Sequence, residues 1–395
     1  MRVCTICDDH FPSYWTSTNQ VVTTASNLGR LGVTVDFMIP TLAEHLMLKG
    51  EKKLRKICEF YGVDPTFRLR DIFTAWPTNK FRVEKFTHGV AAPVLASFGD
   101  YDLIYSRNIL PVLLTLARGG RALFETYRLL PKEYPYTVPL LRKVAAHPNF
   151  LGITTHSDLS RQAFIDAGVP EEKVVALHNG YDPKEFEPEL TKEEARRMLG
   201  LPEREFTVVY TGHMTAIKGI EIVVDIAEKA QDLSFVLVGG PTEADVNRVM
   251  AYADSKGLRN VHVMGWVTPN KVPPYLYAAD VLIIPPTGKP LREHHRTVLP
   301  IKVFNYLAAG RPILAPDLPD TAELLHHGVN SMRVPADDVD AAAEALHRLA
   351  DDPLFAGSLA ERAREDARGY TWEERARRLK AFMEERLAAS KALEK

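Results

Sequence analysis

The chain repeats one alternation of short apolar runs and helical patterns on either side of a single charged segment. In the first half, the runs "RVCTIC", "VTVDFMIP" and "RALFET" alternate with segments whose apolar residues recur at helical spacing. The alternation starts again with "TVVYTG", "SFVLVGG" and "DVLIIPP". Because a strand–helix–strand order builds a parallel sheet covered by helices, the sequence predicts an α/β protein with two Rossmann-like, doubly wound domains.

The charged segment 181–206 contains three prolines and one short helical pattern, and it marks the boundary between the halves. We therefore predict a first domain over residues 1–186 and a second over 187–371. The last segment, 372–395, reads as a long charged helix with one apolar stripe. That stripe predicts a helix that folds back onto the first domain.

Composition excludes several classes of protein. Of the 395 residues, 46% are hydrophobic, and the formal net charge is -2, so nucleic-acid binding is not expected. No apolar run approaches the roughly 20 residues of a membrane span, and the N-terminus lacks the apolar stretch of a signal peptide. These features predict a cytoplasmic protein. The spacing of Cys4 and Cys7 on a strand favours buried small hydrophobic residues over a metal or redox pair.

The stretch "YTGHMTAIKG" is the first candidate for binding chemistry. A strand runs into Gly212, and Lys218 precedes Gly219 at the start of a helix. Glycine lets a ligand approach the backbone, and the free N–H groups with a lysine suit an anion. An ordinary surface lysine before a helix is the alternative.

The stretch "LPIKVFNYLAAGRPILAPD" is the second candidate. Pro300 opens a predicted helix, with Lys302 and Asn305 in its first turns, and such a helix start also suits an anion. Just before it, the adjacent His294 and His295 have no matching third ligand, so we predict no metal site.

The order of these segments resembles the retaining GT-B glycosyltransferases, specifically glycosyltransferase family four (group 1). The likeness is carried by "YTGHMTAIKG", "VHVMGWV", "LPIKVFNYLAAGRPILAPD" and "ELLHHGVNSMRVPADDVDAAAEAL", in that order, and by "ITTHSDLSRQAFIDAGVPEEKVVALHNGYDPKEF" in the first half. The resemblance implies a nucleotide-diphospho-sugar as co-substrate, no cofactor and no metal. It also implies a cleft between the two domains.

The resemblance assigns roles in the second domain. It implies that Lys218 and His213 act at the diphosphate of the donor. The implied donor-binding positions are Gly212, Gly265, Trp266, Val267, Thr297, Val298, Leu299, Lys302 and Asn305. Thr297 and Asn305 stand where the family usually has two carboxylates. Asn305 can still accept from one ribose hydroxyl and donate to another.

In the first domain, the resemblance places Ser17, Thr18, Glu125 and Tyr127 at a possible acceptor site. The alternatives are a helix cap for Ser17 and Thr18 and a buried structural role for Glu125. The acceptor, a sugar, a lipid or a small metabolite, stays open, as does the oligomeric state. The basic segment 42–62 reads either as a peripheral contact with the inner membrane face or as a solvated helix.

Two other functions compete with glycosyl transfer. One is a nucleotide-sugar-binding GT-B protein that has lost or altered turnover, which the missing carboxylates favour. The other is a nucleotide-sugar epimerase of the same fold. An epimerase would need a carboxylate-rich cleft, and Thr297 with Asn305 speaks against it.

Overall fold

The computed structural model describes residues 1–13, 15–41, 49–74, 83–240, 242–294 and 299–392. These residues form two compact units, Met1–Asn179 with Trp372–Lys395, and Gly180–Thr371. Residues 180–186, which the sequence assigned to the first domain, lie in the second unit. There the rings of Tyr181 and Phe186 pack edge to face, with centroids 5.5 Å apart.

The first unit contains a seven-stranded parallel sheet in the order β3-β2-β1-β4-β5-β6-β7 among its described residues. Its strands are β1 (Arg2–Ile6), β2 (Thr34–Thr41), β3 (Arg68–Phe73), β4 (Leu103–Ser106), β5 (Ala122–Thr126), β6 (Phe150–Thr155) and β7 (Val174–Ala176). Its helices are α1 (Thr16–Arg30), α2 (Gly50–Tyr61), α3 (Val83–Ala96), α4 (Ile109–Ala117), α5 (Leu130–Glu133), α6 (Val138–Ala145) and α7 (Asp158–Asp166).

The second unit contains a six-stranded parallel sheet in the order β10-β9-β8-β11-β12-β13 over its described part. Its strands are β8 (Thr207–Gly212), β9 (Ser234–Gly239), β10 (Val261–Gly265), β11 (Val281–Ile283), β12 (Ile313–Pro316) and β13 (Met332–Val334). Its helices are α8 (Lys192–Leu199), α9 (Ile220–Lys229), α10 (Glu243–Ser255), α11 (Val272–Ala278), α12 (Lys289–His294), α13 (Lys302–Ala309), α14 (Val339–Asp351) and α15 (Pro353–Ala367).

The C-terminal helix α16 (Trp372–Ala392) belongs to the first unit. Its apolar residues Leu379, Phe382 and Met383 are buried in the same core as Val22 and Ala25 of α1. The predicted return of this helix to the first domain is confirmed. Burial of the apolar stripe explains the packing, since a long charged helix has little stability of its own.

In both sheets, the order in which successive strands are added reverses beside the first strand. In the first unit the strand order turns between β1 and β4, and in the second between β8 and β11. Ligands of open α/β sheets bind outside the carboxyl ends of the strands at such a reversal. Each unit therefore has one edge, built by the loops after two strands, at which a ligand is expected. We call these the β1/β4 edge and the β8/β11 edge.

The sequence did not predict β3 and β13, the strands at one end of each sheet. The segment "RLRDIF" of β3 contains three charged residues among six, and β13 has three residues. Edge strands are short or charged in this way because one side meets water. Among the described residues, none of the helices combines the length and the apolar character needed to cross a membrane.

Candidate functional site

At the β8/β11 edge, glycines leave the main chain uncovered by side chains. Gly212 ends β8 and pairs in register with Gly239 at the end of β9. A Cβ at Gly239 would lie 1.9 Å from the carbonyl oxygen of Gly212, and the N–H of Gly240 donates to that oxygen at 3.3 Å. Only glycine at residue 239 allows the two strand ends to approach this closely. A ligand can therefore reach main-chain groups here without meeting a side chain.

The loop after β8 is pinned against the loop after β11. It forms one turn of 3-10 helix, Ala216–Lys218, followed by Gly219 with a φ of 66°. A Cβ at Gly219 would lie 2.3 Å from Cγ2 of Thr287. From α10, Arg248 donates to the carbonyl oxygen of Met214. The exposed Lys218 is thus presented by a loop held from two sides.

Lys302 lies directly beneath this loop, at the start of α13. Its Nζ is 3.6 Å from the ring centroid of Tyr210, and a Cβ at Gly212 would lie 2.8 Å from the same Nζ. The ammonium makes no hydrogen bond or ion pair with any residue of the described part of the chain. Burial, followed by the positive charge of Lys218, holds the pKa of Lys302 well below its usual range.

His213 follows Gly212 in the same loop and is half-buried. Burial is the main cause of its lowered pKa, and Lys218 and Lys302 add to it, while Asp245 opposes the shift. The ring is therefore neutral at pH 7, and it can serve an anion as an N–H donor. Its backbone is fixed because the Tyr210 hydroxyl donates to the His213 carbonyl oxygen at 2.6 Å.

The remaining predicted donor residues lie on several loops and helices. Gly265 ends β10 with a φ of 71°, and the next side chain, Trp266, is 46% exposed. Val267 is half-buried and packs against the core of the second unit. Asn305 is half-buried on α13, one turn after Lys302, and its side chain makes no hydrogen bond to the residues that the structure describes.

The start of α13 differs from the prediction. The first helical residue is Lys302, two residues after Pro300, because Pro300 and Ile301 form a turn in which the N–H groups of Val303 and Phe304 donate three residues back, each at 3.1 Å. Before this turn, the N–H of Leu299 donates to Oδ2 of Asp320 at 2.8 Å. Asp320 is fully buried, and its other oxygen accepts from the N–H of Thr321 at 2.9 Å. Thr297 and Val298, two further predicted donor residues, lie outside the described residues.

The residue that shapes the loop after β11 was not among the predicted site residues. Asp337 has a φ of 66°, and its N–H donates to the carbonyl oxygen of Pro286 at 2.7 Å. Its carboxylate accepts from the Thr287 hydroxyl at 2.6 Å and pairs with Arg292 at 2.6 Å. The contacts join residues about 50 apart in the chain, which no local pattern reveals.

The β1/β4 edge of the first unit has the opposite chemistry. Asp8 and Asp9 follow β1, and Asn108 follows β4. The amide of Asn108 donates to Asp8 at 3.2 Å, and Nζ of Lys85 lies 3.4 Å from Asp8 and 2.9 Å from Asp9. Ser17 donates to Asp9 at 3.3 Å. This edge offers mainly hydrogen-bond acceptors, which suit a hydroxyl-bearing ligand.

Cys7 lies beside these carboxylates, with its sulfur and their oxygens within 4.8 Å of one another. Both Cys4 and Cys7 are buried, as predicted. Burial, then the charges of Asp9 and Asp8, raises the pKa of the Cys7 thiol. A cysteine binds metal as a thiolate, so these residues fit a metal ion poorly.

Ser17 and Thr18 lie in the first turn of α1, and neither acts as its N-cap, because the residue at that position is Trp15. The Thr18 hydroxyl is buried, donates to the carbonyl oxygen of Trp15 at 2.7 Å and accepts from the Tyr61 hydroxyl at 2.9 Å. Ser17 is half-buried at the edge. The capping alternative is wrong for both residues, and of the two hydroxyls only that of Ser17 lies beside the acidic cluster.

Glu125 is buried, 1% exposed, in a network of charged and polar side chains. One of its oxygens accepts from Gln20 at 3.0 Å, His156 at 3.0 Å and Arg375 of α16 at 2.5 Å. Burial alone would raise the pKa of Glu125, but Arg375, His156 and Arg107 together hold it below its usual range. Burial also lowers the pKa of His156 to about 4. The contacts favour the structural alternative for Glu125.

Tyr127, by contrast, is 41% exposed next to this network. Its ring centroid is 6.1 Å from that of His156 and 5.6 Å from Cζ of Arg107. Tyr127 thus remains available to a ligand, while Glu125 is covered.

Comparison with known proteins agrees with this architecture. Residues 205–352 match the family described as Glycosyl transferases group 1. A D-inositol 3-phosphate glycosyltransferase 1 from Catenulispora acidiphila is 24% identical, and the match covers 91% of this chain and 88% of that protein. An uncharacterized glycosyltransferase from Methanocaldococcus jannaschii is 26% identical over 56% of each chain. The chain thus spans little more than half the length of this second relative.

Solved structures share the fold over nearly the full length. Sucrose-phosphate synthase from Thermosynechococcus elongatus superposes with a TM-score of 0.78 at 19% identity, covering 98% of this chain and 99% of that one. Anabaena Alr3699/HepE in complex with UDP superposes with a TM-score of 0.73 at 16% identity, covering 98% and 100%.

Two parallel-sheet, Rossmann-like domains with these structural neighbours define a GT-B protein. Within that class, residues 205–352 match the group 1 glycosyl transferases. The predicted resemblance to GT-B glycosyltransferases is confirmed.

Proposed function

We propose that the protein is a retaining, metal-independent glycosyltransferase of family four that moves a sugar from a nucleotide-diphospho-sugar to an acceptor hydroxyl. The observation that carries this proposal is the β8/β11 edge, where bare glycine backbone lies beside Lys218 and Lys302. Main-chain N–H groups and ammonium groups are what a diphosphate requires.

In the proposed reaction, the bond between the anomeric carbon and the diphosphate oxygen breaks, and the acceptor oxygen bonds to that carbon on the same face. The acceptor proton passes to the leaving phosphate. Lys218 neutralises the charge that develops on the diphosphate, and His213 donates an N–H to it. Because the departing phosphate acts as the base, the reaction needs neither a metal nor an enzymic nucleophile.

Gly265, Trp266 and Val267 would lie against the base, and Asn305 against the ribose. UDP is the first nucleotide to test, since HepE, one of the structural neighbours, was solved with UDP and with UDP-glucose. The acceptor class stays open. We place the protein in the cytoplasm.

Membrane contact through 42–62 is a weaker proposal. Residues 42–48 lie outside the described part, and on α2 the apolar Ile57 is fully buried while Phe60 is 36% exposed. The exposed face of α2 carries Lys52, Arg55 and Lys56, which also fits the solvated-helix alternative.

The test is a thermal-unfolding panel with UDP, GDP and ADP, followed by turnover assays with the matching nucleotide sugars in the presence of a chelator. A ligand of the native state raises the unfolding temperature. We expect a shift with one nucleoside diphosphate, turnover that survives chelation, and a product whose anomeric configuration by NMR equals that of the donor. No shift with any diphosphate would refute the transferase proposal.

Asn305 favours a second candidate, a nucleotide-sugar-binding protein without efficient turnover. The variant Asn305→Glu separates the two candidates, since a carboxylate accepts from two ribose hydroxyls through charge-assisted bonds. If the asparagine has weakened a working site, we expect nucleotide affinity about tenfold higher in this variant. Nucleotide binding with no sugar transfer, in both the wild type and the variant, would establish the second candidate.

A further inference from the structure

We propose that Lys302 takes up a proton when a nucleoside diphosphate binds at the β8/β11 edge. This inference rests on the proposed function, and it adds that donor affinity depends on the protonation of one identified residue.

The geometry around Lys302 supplies no negative charge. The Tyr210 ring lies 3.6 Å below its Nζ, and Gly212 lies beside it. Among the described residues, no carboxylate pairs with this ammonium, and no polar atom accepts its hydrogen bonds. A half-buried cation in such a setting is disfavoured until an anion binds.

A lysine on α2 shows how the charge of a buried ammonium group is compensated within this chain. Lys53 on α2 is 2% exposed and contacts the carboxylate of Asp71 and the hydroxyl of Thr41. Its charge is therefore compensated within the protein. Lys302 is half-buried against the Tyr210 ring and has no such partner among the described residues, so we infer that its partner is an anionic ligand.

The charged groups that act on Lys302 are also cationic. Lys218 faces it from the turn before α9 and lowers its pKa, after burial itself. His213, from the loop after β8, is affected by both lysines, and Asp245 of α10 opposes them at the histidine. Arg248 of α10 is compensated by Glu221 of α9. The free site therefore disfavours the ammonium form of Lys302.

A bound diphosphate reverses this balance. Its negative charge favours the ammonium form and raises the pKa of Lys302 in the complex. At a pH between the pKa of Lys302 in the free protein and its pKa in the complex, Lys302 is therefore less protonated in the free protein. Affinity for the diphosphate is highest at low pH in that window and falls as pH rises, by about tenfold per pH unit where one proton is linked.

The experiment is isothermal titration calorimetry of UDP, GDP and ADP into the full chain at about pH 8, where the terminal phosphate is already ionised. Measurement in two buffers of different ionisation enthalpy gives the number of protons taken up. We expect net proton uptake on nucleotide binding in the wild type. Binding without proton uptake would overturn this inference alone, whereas no binding of any diphosphate would overturn the proposed function as well.

Two variants assign the proton. Lys302→Arg keeps a permanent charge, so it should bind the nucleotide without proton uptake and with a flatter pH dependence. Lys302→Gln should bind about tenfold more weakly and also without uptake. The control Lys229→Ala removes an exposed lysine that pairs with Asp340 and should retain the full uptake. Each variant is accepted as folded when its unfolding temperature is close to that of the wild type. Uptake that persists in folded Lys302→Gln would place the proton elsewhere and refute the assignment.

Discussion

The β1/β4 and β8/β11 edges occupy equivalent places in two sheets with the same order of strands, yet they present opposite chemistry. The first offers Asp8, Asp9 and Asn108, whereas the second offers glycine backbone with Lys218 and Lys302. This difference between the two edges does not follow from the overall charge of the units that contain them. The first unit has more Lys and Arg than Asp and Glu, and the second has fewer.

Topology therefore decides where a ligand is expected, and a few loop residues decide which ligand it is. We propose that an anionic nucleotide binds at the second edge rather than at the first, where Asp8 and Asp9 already pair with Lys85. A hydroxyl-bearing acceptor fits the first edge. The predictions below test how far this division holds, beginning with the largest expected effect.

Replacing Lys218 should have the largest effect, because in the proposed reaction its ammonium neutralises the leaving diphosphate. We expect Lys218→Ala to lower turnover by about 100-fold or more, by analogy with removal of one donor at a developing negative charge. Steady-state rates would be compared with those of Lys229→Ala. Because Lys218 is exposed, the unfolding temperature should barely change. Activity within about threefold of the wild type would show that the second edge does not stabilise the leaving group.

Replacing Gly239 tests whether bare backbone is a requirement of the second edge. In Gly239→Ala the new Cβ would meet the carbonyl oxygen of Gly212 at 1.9 Å, and residue 239 has a φ of 132°. We expect a loss of about 2–4 kcal/mol in the free energy of unfolding and weaker nucleotide binding.

Gly357 provides the matched control for this substitution. It lies in α15, and a Cβ there would meet nothing within 4 Å. Gly357→Ala should therefore stabilise the protein by about 0.5–1 kcal/mol. If the two substitutions change the free energy of unfolding in urea equally, the clash with Gly212 is not the cause of the effect at Gly239.

The contrast between these glycines also shows what the sequence could reveal. Apolar alternation predicted the two parallel sheets and the return of α16, because burial periodicity is a local signal. The order of segments, through the resemblance to a known family, pointed to Gly212 and Lys218. Gly239, Asp320 and Asp337 were not predicted, since each acts through contacts with residues distant in the chain. The pairing of Glu125 with Arg375 was not predicted for the same reason, because the two residues are 250 positions apart.

The buried network behind the first edge should make the protein sensitive to acid. The pKa of His156 is about 4 in the folded protein, against roughly 6.5 in an unfolded chain. The unfolded state therefore binds more protons in this window, and stability is lost as pH falls through it. We expect a decrease of up to about 3 kcal/mol from this residue, and His88, also with a pKa of about 4, adds to it.

Urea unfolding at several pH values would measure the slope of the free energy of unfolding against pH. In His156→Gln the amide keeps a donor near Glu125 and cannot titrate, so the slope should be shallower than in the wild type. Identical slopes would mean that His156 does not carry the acid sensitivity.

The smallest expected effect separates the two neighbouring hydroxyls at the first edge. The Ser17 hydroxyl is half-buried and makes a long bond of 3.3 Å to Asp9, so Ser17→Ala should cost little stability. If the acceptor binds at this edge, its KM should rise about threefold while the affinity for UDP is unchanged. Thr18→Val removes the adjacent buried hydroxyl, which accepts from Tyr61, and should instead lower stability by about 1 kcal/mol with no change in KM. A change in UDP affinity in Ser17→Ala, measured by calorimetry, would contradict the division of labour between the edges, because that hydroxyl has no part in a site for an anion.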